Sequence, residues 1–257
     1  EFDKILDAIS NYCKTYIGKN HVAKLRPSQD SKEVQNMLNE TSQGVILIQR
    51  NSTPPLDSIA DITVYLKSLE GSGTLSIKAL LELKNILQIA SNLKDYFSKD
   101  HLSTSDFSAI ESYFNDLYIN PGIVSTFSKS IVDEDTISDT ASSKSQDIRR
   151  RQRKIEQDIR AKLNGMLHSS TYSKYMRDNL VTIRNGRFVI PVKEEYRSSV
   201  KGFIHDMSSS GSTVFIEPIA VFDLNNELSN LQIEENLEIE RILQNLSGLL
   251  YPYTKEL

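Results

Sequence analysis

Val181-Thr182-Ile183-Arg184-Asn185-Gly186-Arg187-Phe188-Val189-Ile190-Pro191-Val192 sets a β-hairpin between two long helical patterns. Asn-Gly tolerates the positive φ that a two-residue type I′ turn requires, and its flanks alternate with the period of a strand. Two further strands, Val200–Ile204 and Thr213–Ile216, are expected to pair across the tight Ser208-Ser209-Ser210-Gly211-Ser212 connection. A hairpin at the end of a helical pair would be a tip carried on a stalk.

Outward from this segment, both flanks read as long helices. Ile148, Ile155, Ile159 and Leu163 fall within roughly 80° of each other at 100° per residue, which predicts one helix from about Asp139 to Asp178. Leu224, Leu228 and Leu231 open a second seam, resumed by Ile239, Ile242, Leu246 and Leu249, over Val221 to about Leu250. Two narrow seams separated by a β insertion describe an antiparallel helical pair.

The charges follow the same division. The net charge is −4, yet residues 144–162 hold eight cations against three carboxylates, and residues 217–240 hold seven carboxylates and no cation. The basic helix has two readings. It could neutralise phosphates, or it could pair with the acidic helix across the seam edges. Internal pairing is favoured, and reversing Arg150 and Lys154 would then lower stability.

Residues 1–127 read as shorter amphipathic helices. Phe2, Ile5, Leu6 and Ile9 share one face, as do Val34, Met37 and Leu38. Ser31 is the expected N-cap of a helix after Pro27. Leu80, Leu81, Leu83, Ile86, Leu87, Ile89 and Leu93 are apolar around most of a helix and are expected to be buried. The predicted layout is a helical core over 1–127, an outgoing helix over 128–178, a β insertion over 179–218 and a returning helix over 219–257. The fold class is mainly α: a helical core plus a long antiparallel coiled-coil-like pair carrying a small antiparallel sheet.

Candidate contact residues cluster at the hairpin. Arg184 and Arg187 flank the turn, and Lys193, Arg197 and Lys201 follow in the next connection. Asn185 and Tyr196 can also hydrogen-bond phosphate oxygen. Such contacts place a protein on a nucleic-acid backbone without reading sequence. The competing view is that these cations keep a small sheet soluble and guard its edges.

Catalysis is not written here. His205 and Asp206 are neighbours on a strand and point to opposite faces, and no strand–Ser–helix elbow surrounds the serines. His21, His101, His168 and His205 lack metal-ligand spacing, and Cys13 is the one cysteine, which fits a reducing cytoplasm. No phosphate-cradling G-x-x-x-x-G-K-[ST] pattern occurs. No apolar run approaches the ~20 residues a membrane span needs, so no membrane partner is expected.

The run from Arg187 to Pro218, with Asn225-Asn226-Glu227 and Glu240-Arg241-Ile242-Leu243, resembles the bacterial MutS type two family of MutS-like ATPases. Glu1-Phe2-Asp3-Lys4-Ile5-Leu6, Leu25-Arg26-Pro27-Ser28 and Glu40-Thr41 extend the resemblance over nearly the whole chain. It implies that the helical pair is a lever and the β insertion a clamp. It also implies a homodimer, with branched DNA or the rRNA of collided ribosomes as partner, in recombination suppression or ribosome rescue. The ATPase with its ATP and Mg, and a nuclease-type Smr domain, would lie beyond Leu257. The chain starts without Met and is expected to be an excised piece. It would need no cofactor and hold no catalytic residue itself. The alternative is a structural lever and dimerisation scaffold without nucleic-acid contact.

Overall fold

The computed structural model describes residues 1–56, 59–98 and 107–257. They form two compact units, Glu1–Ser138 with Leu243–Leu257, and Asp139–Ile242. The described chain is mainly helical, with one small antiparallel sheet.

The first unit holds helices α1 (Phe2–Tyr12), α2 (Tyr16–Lys24), α3 (Ser31–Asn51), α4 (Thr63–Glu70), α5 (Ile77–Ser98), α6 (Glu111–Asn115) and α7 (Pro121–Ser130). α5 is buried through Ala79, Leu80, Leu83, Leu87, Ala90 and Tyr96, whereas Leu81, Ile86, Ile89 and Leu93, also expected inside, are only partly covered. The C-terminal residues are tied in by Ser247, whose buried hydroxyl accepts from the Leu75 amide at 2.9 Å and donates to the Leu243 carbonyl at 2.8 Å. Two local expectations change. The cap of α3 is Asp30 rather than Ser31, because its carboxylate reaches two orphan amides, those of Lys32 at 2.7 Å and Glu33 at 3.2 Å. The apolar stripe of α1 has no buried residue. With Leu25, Val34, Met37 and Leu38 it lines an open apolar groove.

The second unit is built on α8 (Ser143–Leu167) and most of α9 (Ile219–Gly248). α8 is shorter than its seam suggests. Ser142 caps it by accepting from the Ser145 amide at 2.9 Å, and past His168 the chain turns through Ser169–Tyr175. The two helices run antiparallel: Lys144 lies by Glu238, Arg149 by Glu235, and Lys162 reaches the Ala220 carbonyl.

Strands β1 (Thr182–Arg184), β2 (Arg187–Lys193), β3 (Gly202–Met207) and β4 (Thr213–Pro218) form one sheet in the order β1-β2-β4-β3. All neighbours are antiparallel. The two-residue turn is as expected, with φ of 50° at Asn185 and 74° at Gly186. Phe188, Ile190 and Val192 of β2 and Val214 and Ile216 of β4 share one buried cluster with Ile155, Ile159 and Leu163 of α8 and Leu228 and Leu231 of α9. Sheet and helices therefore have a common core. On the other face the hairpin does not project. Asn185 Nδ2 donates to the His205 carbonyl at 2.9 Å, and the Arg184 guanidinium lies 4.1 Å over the Phe215 ring. The turn is laid across β3 and β4.

Candidate nucleic-acid interface

Most of the predicted contact residues are tied to neighbours inside the sheet unit. Arg184 Nε is 3.1 Å from Asp206 Oδ2, with both side chains roughly two-fifths exposed. Arg187 is held more firmly: its Nη1 donates to Asn226 Oδ1 at 2.7 Å and to Glu217 Oε1 at 3.3 Å. Lys193 Nζ donates to the Lys174 carbonyl at 3.2 Å and sits 5.9 Å from the centre of the Tyr196 ring. Arg197 pairs with Glu194 at 3.2 Å, one helical turn away and in solvent. Lys201 is exposed beside the start of β3.

Arg184, Asn185 and Arg187 thus gather against β3 and β4. Lys193 and Arg197 sit at the far end of β2, and Lys201 lies at the opposite end of the sheet, where its carbonyl accepts from the Ile219 amide at 3.1 Å. The even spacing of Arg187 and Lys193 does not unite them, since each turns to a different neighbour.

The sequence reading missed the polar cluster beneath the hairpin. Glu217 is buried to 1 % exposure, yet its carboxylate accepts from Arg187, from Asn225 Nδ2 at 2.8 Å and meets His205 Nε2 at 2.5 Å. Asn225 does a second job. Its Oδ1 accepts from the Phe188 amide and its Nδ2 donates to the Phe188 carbonyl, both at 3.1 Å. β4 ends at Pro218, which has no N–H to offer, and the Asn225 side-chain amide stands in for the missing strand partner. Two signals were available: an acid in an otherwise buried strand, and an Asn next to Leu224 in an apolar seam.

His205 and Asp206 go to separate partners, Glu217 and Arg184, but the expected alternation is broken by a β-bulge between Ile204 and Asp206, which sets Asp206 opposite Phe215. The hydroxyls of Ser208, Ser210 and Ser212 bond one another and the Thr213 amide, closing the connection between β3 and β4. Among the described residues no three of His, Cys, Asp and Glu gather as a metal ion would need, and His101 lies outside those residues.

The basic helix is largely paired. Arg149, 15 % exposed, bridges Glu235 and Asp139 at 2.6 Å each. Arg151 reaches Glu227 and Glu234, and Lys144 reaches Glu238. Arg150, however, pairs with Asp147 on its own helix, and Lys154 is exposed. The cross-helix contacts are therefore made by other residues than the two the sequence singled out. Hydrogen bonds from Arg149 and Arg153 hold the Asp139 carboxyl below its usual range. The Arg241 guanidinium, with help from Ser142 and Lys144, holds buried Glu238 down at about 2.

No family model matches the chain. Proteins named Endonuclease MutS2 match it along almost all its length. That of Acetivibrio thermocellus is 40% identical over 248 residues, 96% of this chain and 31% of that protein. That of Clostridioides difficile is 38% identical over 257 residues, all of this chain and 32% of that protein. The protein from Alkaliphilus metalliredigens is 40% identical over 258 residues, with the same coverage. The chain spans about a third of the length of the curated relatives it matches.

Proposed function

Since this chain belongs to the MutS2 family over the part of those proteins that it spans, we propose that residues 139–242 are the lever-and-clamp module of a MutS2-type ATPase. In this reading α8 and α9 are a coiled-coil-like lever. The sheet is the clamp, resting on branched DNA or on the rRNA of a collided ribosome through contacts that read no sequence. The endonuclease activity in the relatives' name, ATP with Mg²⁺, homodimerisation and a cytoplasmic setting belong to the whole protein in the same proposal. Recombination suppression or ribosome rescue would be its task. Among the described residues no helix is long and apolar enough to cross a membrane.

The observation that supports this reading is the charge of the sheet segment. Residues 181–216 hold five cations against three carboxylates, and only Arg187 is committed to a buried acid. The pairs of Arg184 and Arg197 are exposed and each worth ~0–1 kcal/mol, so a phosphate can take the place of Asp206 or Glu194. Arg184, Lys193, Arg197 and Lys201 are then the phosphate contacts. Asn185 and Arg187 position the hairpin.

A structural scaffold is the second reading, and the Arg149 bridge between Asp139 and Glu235 favours it. Binding of this chain to a four-way DNA junction and to ribosomes separates the two. The K193A/R197A/K201A variant is expected to bind both more weakly while keeping its fold. Undiminished binding by the triple variant, or none by the parent chain, leaves the scaffold.

A further inference from the structure

The end of the sheet where β2 stops carries a cluster that phosphate contact alone does not explain. Tyr172 and Tyr175 meet edge to face, with ring centres 6.3 Å apart. Tyr175 and Tyr196 are tilted against each other at 5.0 Å. All three pack one side on the core of the second unit and are partly exposed on the other. Lys174 Nζ lies 5.1 Å from the Tyr175 ring centre, and Lys193 Nζ 5.9 Å from that of Tyr196. Arg177 and Lys193 line the adjoining open cleft with Glu194, Glu195 and Ser212, and Glu194 is paired with Arg197.

Building on the reading that this unit contacts nucleic acid, we infer that Tyr172, Tyr175 and Tyr196, with Lys174, Lys193 and Arg177, form a stacking platform for the unpaired bases of a single strand. Every base offers a π face, so stacking on tyrosine is tolerant of sequence, while a duplex keeps its bases covered. Rings wedged against a core lose little freedom on binding, which favours them as anchors. An ammonium over an exposed ring contributes only about 0.5–1 kcal/mol. A base can therefore take the ring face while the flexible lysine swings to the neighbouring phosphate. The cluster thus narrows the partner of the proposed clamp to nucleic acid with an unpaired stretch, as a branched junction or a ribosomal loop provides.

The test uses oligo(dT) and oligo(U) of about ten nucleotides, within the range a stacking groove covers, and a blunt duplex of equal length. Adding either oligonucleotide to the unmodified chain should shift the ring-proton resonances of Tyr175 and Tyr196. Tyr196→Ala should weaken oligonucleotide binding about 5- to 150-fold, the range for one lost base–aromatic stack. Tyr196→Phe should retain it, and duplex binding should change little. The two oligonucleotides distinguish a DNA strand from an RNA strand. Rings that do not respond, or a duplex affinity that falls in parallel, overturn the inference. If junction DNA still binds in that case, the proposed function survives; if neither oligonucleotide nor junction binds, both fall. Should Tyr196→Ala not fold, the resonances of the unmodified chain and Lys174→Ala decide.

Discussion

Asn225 stands in the apolar seam of α9, and its amide closes the sheet where Pro218 cannot. Truncating it leaves the buried Phe188 N–H and C=O without partners and removes a donor from Glu217. Asn225→Ala is therefore expected to cost about 2–4 kcal/mol, the penalty for two buried backbone groups left unmade. Urea unfolding followed by circular dichroism measures it. An unchanged midpoint would mean that water replaces the amide. Glu238 gives a prediction in pH. Its carboxyl titrates at about 2 in the fold against 4.5 ordinarily, so the folded state binds its proton less readily than the unfolded one. Its stabilisation is complete above pH 4.5 and drains away as the pH falls towards 2. Glu238→Gln should flatten the loss of stability across that window. A variant with the same acid limb as the parent would remove Glu238 from the account.

At the scale of elements, α8 and α9 are matched by their cross-helix ion pairs as well as by their seam. Arg149 is mostly buried and touches two acids, so Arg149→Ala leaves Asp139 and Glu235 short of their common partner. Breaking such a partly buried bridge should lower the melting temperature by several degrees, whereas Arg150→Glu, exposed and paired only within its helix, should change it by a degree or two. Equal effects would show that net charge matters and pairing does not. The ladder of β3 with β4 has a steric requirement of its own. A Cβ on Gly202 would lie 2.2 Å from the Glu217 carbonyl oxygen and 2.7 Å from the Ile216 side chain. Gly202→Ala should therefore loosen the strand that carries His205, seen as faster amide exchange in β3. Protection like that of the parent chain would refute the close approach.

For the molecule as a whole, the proposed contacts fix a salt response. Four phosphate contacts, at Arg184, Lys193, Arg197 and Lys201, correspond to a slope of about −3.6 in log affinity against log salt on duplex arms. A flat response from junction binding would remove the backbone contacts from the proposal. Much of the architecture behind these residues was legible beforehand. The Asn-Gly turn, the α8 seam and the opposed charge blocks were readable, because each depends on residues close in sequence or on a simple period. The second seam held only in part: Leu228, Leu231, Ile242 and Leu246 are buried and Leu249 is exposed. The helix ends were less so: Ser142 and Asp30 compete with neighbouring polar residues for the same orphan amides, and only geometry selects between them.

The chain by itself determined the mainly helical class, the position of the hairpin and the sign of each helix, since periodicity, turn chemistry and formal charge are local properties. Which cation meets an acid far away in sequence was decided by the tertiary structure alone. Arg184 to Asp206, Arg187 to Glu217 and Arg149 to Glu235 span 22, 30 and 86 positions. Those distances close only once the hairpin lies on β3 and β4 and the helices pack antiparallel. The same folding brought Tyr172 and Tyr175 beside Tyr196, because no local rule says where a side chain's long-range neighbour will be.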